Sequence, residues 1–288
     1  MKTGTRRVLV AMAIVLIAGG VGMVGARIKI TSDVHKVTLP SLDDVPAECW
    51  AILAEKKVFF GHHSVGYNII DGIGDIMRER DCVKLNIVET FDPADFDQPV
   101  FAHLPVGRNT DPLSKINSFR EIMDSGVGEK ADIVFFKLCY VDVMRDSDVQ
   151  QIFGSYKTAI EQLQGRYPRA KFLHITVPIR STPKGIGRNL KHSIKSLIGK
   201  SGVLDDNIIR QRYNKLLCDT YSGTEPVFDL ALAESIDPSG LRCYATKGEK
   251  VYVMISEYTD DGGHLNSDGR RKVAEQLLVI LAEMAGNS

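Results

Sequence analysis

KVFFGHHSVGYNIIDGIGDIMRER, residues 57–80, contains the repeating unit of the fold. Lys57 to Gly61 is a short apolar run that stops at a glycine, the pattern of a buried strand. From Val65 the apolar residues fall at helical spacing (Ile69, Ile70, Ile73, Ile76, Met77), which predicts a helix as far as Arg80. A strand running straight into a helix is half of a βαβ unit. His62, His63 and Ser64 occupy the junction. The first backbone N–H groups of a helix have no partner within it, so a serine there has two readings. It caps the helix, or it stands at a strand's carboxyl end where ligands gather and helix amides hold negative charge.

The same alternation continues along the chain. Strands are expected at Leu85–Glu89, within ADIVFFKLCYVDV (residues 131–143, the best central-strand candidate), at Phe172–Pro178 and at Pro226–Leu230. Helices are expected at Pro112–Met123, Asp148–Tyr167, Asp205–Leu217 and Ser267–Ala285. Residues 90–111, with Pro93, Pro99, Pro105 and Gly107, read as a long loop, and loops of that length tend to be functional. Residues 180–203 read as a surface insertion, and Lys250–Ile255 as a further strand paired in a hairpin with the stretch around Leu241. The expectation is an α/β fold with a mostly parallel, five-stranded sheet covered on both faces.

Lys+Arg and Asp+Glu both number 36, so the 288-residue chain is neutral and gives no support to a nucleic-acid partner. Lys2, Arg6 and Arg7 precede an apolar run from Val8 to Gly25 that ends Val24-Gly25-Ala26. Residues 1–26 therefore read as an export signal or membrane anchor, and the membrane is touched only through them. Residues 27–46, with Pro40 and Pro46, read as a linker, and 47–288 as one domain. The five cysteines are odd in number and match no disulfide or zinc framework; Cys139, inside an apolar run, reads as a buried thiol.

The second informative block is Thr259-Asp-Asp-Gly-Gly-His264-Leu-Asn266, just before the last expected helix. Asp261 and His264 are three apart across two glycines. That spacing lets the carboxylate accept the imidazole Nδ1 proton in a tight turn and leaves Nε2 to face a nucleophile. The pair also has a plainer reading, as polar decoration and capping of a Gly-rich turn.

Together, Ser64 after the first strand and DGGHLNSDGRRKVAEQL (residues 261–277) resemble the SGNH (GDSL-type) hydrolases. The resemblance spans roughly residues 57–285, with its specific motifs at the two ends. It implies a flavodoxin-like three-layer sandwich and metal-independent ester hydrolysis or acyl transfer, with Ser64 as nucleophile, His264 as base and Asp261 as its orienting partner. The oxyanion donors it implies are the Ser64 and Gly107 amides. The sequence departs from the family at two blocks. Gly61-His62-His63-Ser64 replaces Gly-Asp-Ser. Cys139-Tyr140-Val141-Asp142 replaces Gly-x-Asn-Asp and keeps only the final aspartate. Asn109, in the adjacent loop, is the substitute donor.

His62, His63, Arg108, Tyr140 and Asp142 are candidate substrate contacts, and Asp142 is also the candidate partner for Lys137, whose charge lies in an apolar strand. A metal set of His62 or His63 with Asp260, Asp261 and His264 is the weaker alternative, because its members come from distant segments without helical metal spacing. No metal or cofactor is expected. Two functional classes remain. One is an exported serine esterase or acyl transferase on a small-molecule or glycan ester, with O-acetylated polysaccharide as the substrate suggested by family and location. The other is a non-catalytic glycan-binding module on the same fold. Oligomeric state is not legible.

Overall fold

The structure is a computed structural model that describes residues 28–182 and 202–287. The export segment expected over 1–26, and most of the insertion expected over 180–203, lie outside the described residues. Among those described, no helix is long and apolar enough to cross a membrane.

Strand β2 (Lys57–His62) is central, parallel to β4 (Val100–Pro105) on one side and to β5 (Ile133–Phe136) on the other. Outside β4 lies β3 (Ile87–Glu89); outside β5 lies β6 (Lys171–Phe172). These make a five-stranded parallel sheet in the order β3-β4-β2-β5-β6. One residue past β6 the chain forms β7 (His174–Ile175), which pairs in parallel with β8 (Val227–Phe228) and carries the layer outward. With β3 set aside as an added edge, β4-β2-β5-β6/β7-β8 is the flavodoxin-like order 2-1-3-4-5.

Alternation along the strands feeds two cores. Val58, Phe60, Ile133 and Phe135 pack with α1 (Ala47–Ala54), α2 (Val65–Glu79) and α7 (Ser267–Gly286). Phe59, Val134 and Phe136 pack with α3 (Pro112–Ile122), α4 (Val149–Arg166) and α5 (Gly202–Tyr221). The short α6 (Leu230–Ser235) follows β8. Near-continuous apolar strands are what a parallel sheet buried on both faces requires.

Two expectations change. The loop read over 90–111 holds β4, whose four-residue buried stretch Val100–His103 was masked by Pro99, Pro105 and a histidine. Proline is tolerated at a strand's ends, where no ladder N–H is needed. The linker read over 27–46 is built into the domain. Within it, β1 (Ile30–Lys36) pairs antiparallel with β9 (Leu241–Lys247), which hairpins into β10 (Glu249–Tyr252). β1 carries no buried residue, so its sequence shows no apolar period and only its distant partner reveals it.

Helices α2 and α7 approach closely at Gly72, where a Cβ would stand 2.4 Å from the Arg270 carbonyl oxygen and 2.8 Å from the Ala274 Cβ. Backbone cannot give way as a flexible side-chain tip can. Gly72→Ala is therefore expected to destabilise the protein by about 1–3 kcal/mol, the usual range for overpacking, read as a lower midpoint in urea unfolding. An unchanged midpoint would show that the two helices slide apart freely.

Candidate active site

Ser64 leaves β2 and opens α2 with φ 53° and ψ −108°, a left-handed conformation that side chains rarely adopt. Thr110 (φ 67°) is the only other non-glycine of this kind among the described residues. Such positions cost about 1–3 kcal/mol and persist where surrounding contacts enforce them. The Ser64 hydroxyl makes no cap hydrogen bond, so the capping reading fails. Its Oγ lies 2.5 Å from His264 Nε2.

His264 Nδ1 is 2.6 Å from Asp261 Oδ2. A carboxylate only accepts, so Nδ1 carries the proton and Nε2 is left to accept from the serine hydroxyl. Asp261 Oδ1 accepts the backbone N–H groups of Gly263 and His264, each at 2.8 Å. Partial burial pushes this carboxyl upward, but the hydrogen bonds from His264 and Gly263 outweigh it and bring it down to about 2. The turn's other tasks are assigned elsewhere. Asn266 caps α7 by accepting from the Asp268 and Gly269 amides, and the Thr259 hydroxyl takes the Gly262 N–H. Asn68 Oδ1, one turn into α2, accepts the Leu265 N–H at 3.2 Å and joins the two halves of the site.

His63 donates from Nε2 to the Gly107 carbonyl at 2.9 Å, which places the loop after β4 beside Ser64. Gly107 has φ +60°, and a Cβ on it would meet the Lys115 backbone at 2.5 Å, so glycine is required. Lys115, fully buried, donates to Asp142 Oδ2 at 2.6 Å and to Asn109 Oδ1 at 2.8 Å. Asp142 also takes the N–H of Thr110 at 2.8 Å and of Cys139 at 2.6 Å. One buried carboxylate thus binds the loops after β4 and β5 together and restrains the strained Thr110.

Several expected substrate contacts are corrected. Asp142 is buried and committed to these bonds, and it pairs with Lys115, not Lys137. Lys137 is buried with its Nζ 3.4 Å from Cys139 Sγ. His62 is buried against His103 (Nε2 to Nδ1, 3.0 Å), and burial, then the Lys137 charge, push it down to about 2. Arg108 is exposed and closes its own loop on Asp111 at 2.8 Å. Tyr140 does reach the site, its ring edge-on to the His264 ring at 5.9 Å between centroids. The alternative metal set does not converge: the described residues hold no group of three or more His, Cys, Asp or Glu side chains placed to bind an ion. All five cysteines are free thiols, Cys139 among the buried ones. Lys115 and Asn68 were missed, yet Lys115 shares the buried stripe of α3 with Phe119 and Ile122, a signal that its charge must meet a partner.

Its fold is a flavodoxin-like α/β sandwich. In the sheet order and in the places of Ser64, Asp261 and His264, the chain resembles the SGNH hydrolases. It is similar in structure to a Bacteroides fragilis protein described as an acylhydrolase, with 13% identity over 83% of this chain and 95% of that one and a TM-score of 0.48. It is also similar to an acetyl xylan esterase (20% identity, 77% and 98% covered, TM-score 0.41). A third likeness is to a lipase from a goat rumen metagenome (15% identity, 77% and 95% covered, TM-score 0.42). No protein-family model and no curated protein sequence matches it.

Behind the site, Glu234 on α6 accepts the Ile179 N–H at 2.7 Å through Oε2, while Oε1 is buried without a partner. Burial pushes this carboxyl up to about 8. The native state therefore holds a proton that the unfolded chain, with an ordinary glutamate near 4.3, has released. In the window between those values stability falls as pH rises. Glu234→Gln is expected to melt like the wild type near pH 4 and at an increasingly higher temperature than it as pH climbs toward 8. Parallel melting curves across that range would contradict the buried, protonated state.

Proposed function

We propose that the chain is an exported serine esterase of SGNH type. The observation that carries this is Ser64 itself: a helix-opening serine in a strained backbone, making no cap bond, with its hydroxyl 2.5 Å from an imidazole whose other nitrogen is held by a carboxylate. In this reading His264 Nε2 takes the Ser64 proton as Oγ attacks the ester carbonyl, and Asp261 stabilises the imidazolium. The collapsing intermediate expels the alcohol, which receives that proton. Water, activated by the same imidazole, then releases the acid from Ser64.

The oxyanion is assigned to three donors: the Ser64 N–H at the positive end of α2, the Gly107 N–H, and the Asn109 amide. Lys115 occupies Asn109 Oδ1, so the amide's NH₂ is the group left to turn toward a substrate. That arrangement replaces the asparagine missing at Cys139-Tyr140-Val141-Asp142. The N-terminal apolar run supports export, and export together with the family resemblance favours O-acetyl groups on polysaccharide as substrate.

Ser64→Ala is expected to abolish hydrolysis of p-nitrophenyl acetate. Wild type and variant turning over at equal rates would sink the esterase and leave the glycan-binding module on the same fold. Asn109→Ala should lower kcat by about 10²–10³-fold, the usual loss for one oxyanion donor. Lys115→Met should cost much of the same factor in the wild type and little more in the Asn109→Ala background, since the two act as one unit. Fully multiplicative losses would separate Lys115 from the donor.

A further inference from the structure

Arg180 follows the strand run at the carboxyl edge of the sheet, and its position is fixed from several sides. Its backbone N–H donates to Asn207 Oδ1 at 3.1 Å, and its carbonyl accepts from Asn207 Nδ2 at 2.8 Å. Its Nε donates to the Gly262 carbonyl at 3.3 Å, and the Ser181 N–H donates to the same oxygen at 3.1 Å. Gly262 lies in the turn between Asp261 and His264. The guanidinium carbon stands 5.3 Å from the centroid of the Tyr140 ring, and that ring touches His264. The charge is therefore held one aromatic ring away from the imidazole.

That charge is not answered by the described residues. Among the described residues no carboxylate comes within ion-pair distance of Arg180, and its terminal nitrogens have no hydrogen-bond acceptor. Arg210, buried behind it with its guanidinium 5.8 Å from the same ring, spends its bonds on the Tyr140 carbonyl and Asn207 Oδ1, again on no carboxylate. Asp261 has both oxygens committed to His264 and Gly263. Of the other acids whose charge reaches Arg210, Asp206 is bonded to the Arg145 N–H and guanidinium, and burial pushes Glu234 up to about 8. A half-buried guanidinium, fixed through Nε and presenting its free edge, suits a carboxylate, which it can grip with two parallel hydrogen bonds. Little ordering entropy remains to be lost on binding.

We propose that Arg180 is an anion subsite of the Ser64 centre and that the preferred ester carries a carboxylate on one side of the scissile bond. The inference rests on the esterase reading. The carboxylate sits either on the acyl group, as in a half-ester of a dicarboxylic acid, or on the alcohol, as in an acylated acidic sugar.

Turnover of neutral p-nitrophenyl acetate is compared with that of p-nitrophenyl hemisuccinate (acyl-side anion) and 4-acetoxybenzoate (alcohol-side anion). The wild type is expected to favour one anionic ester by kcat/KM. Arg180→Gln should reduce that anionic-to-neutral ratio by about 10- to 100-fold, the scale of a charge-assisted hydrogen-bonded pair, with the change residing in KM. Arg180→Lys, which keeps the charge and loses the fork, should retain part of the ratio. A merely structural arginine bracing the 261–264 turn would lower all three substrates in proportion and leave the ratio where it was. That outcome overturns the subsite, as does a wild type with no anionic preference. A further measurement needs no variant: 4-hydroxybenzoate should inhibit acetate-ester hydrolysis more strongly than uncharged 4-hydroxybenzamide, and equal inhibition counts against the proposal. If Ser64→Ala turns over all three esters like the wild type, the esterase reading fails and takes this with it. Serine-dependent turnover with an unmoved ratio removes only the subsite.

Discussion

Helices α2 and α7 press together until Gly72 leaves no room for a methyl group. One helix begins at Ser64 and the other directly after His264, so their packing brings together groups 200 residues apart in the chain. The Asn68–Leu265 hydrogen bond pins the two N-terminal ends in register. A shift of about 1 Å between the helices would break a contact whose chemistry depends on hydrogen-bond distance. The helix face supplies the apolar area and its ends supply the chemistry, so the stability of this face and the geometry of the site are one constraint.

A second constraint is electrostatic. Lys115 and Asp142 are charged groups removed from water, and such a pair is seldom a net source of stability compared with apolar packing. What it provides is specificity of position. A single carboxylate collects a lysine, the Thr110 N–H and the Cys139 N–H from three segments, and the lysine reaches on to Asn109. Loops after two adjacent strands are thereby locked at the crevice where ligands gather in open α/β sheets. Asp142 thus organises backbone, and the same pair holds Asn109, the donor proposed above, in the neighbouring loop.

The remaining buried ionisable groups show how differently one environment treats acids and bases. His62 is forced neutral by burial, and Glu234 is forced neutral by the same cause in the opposite direction. Asp261, more open and held by hydrogen bonds from Gly263 and His264, stays ionised. The Tyr140 ring lies beside two guanidinium groups, those of Arg180 and Arg210, neither in ion-pair distance of a described carboxylate.

Whatever depends on near neighbours is legible in the chain alone. The apolar run of 57–61 and the helical period of 65–80 establish a βα unit, and the Asp-x-x-His spacing of 261–264 fits one turn, because strand, helix and turn are local geometries. Ser64 could be singled out but not decided, since a capping serine and one aimed at a distant histidine have the same sequence; only the direction of its hydroxyl separates them. Tertiary structure decided what depends on distant partners. Val100–Pro105 became a strand because β2 and β3 flank it, and Ile30–Lys36 because β9 was there to pair. His62 turned into the core and Asp142 toward Lys115, so two expected contacts became supports. Arg180, invisible beside a lysine- and glycine-rich stretch, was given its place by Asn207 and Gly262. Burial and pairing are properties of the packed chain, and no local spacing encodes which far residue will arrive.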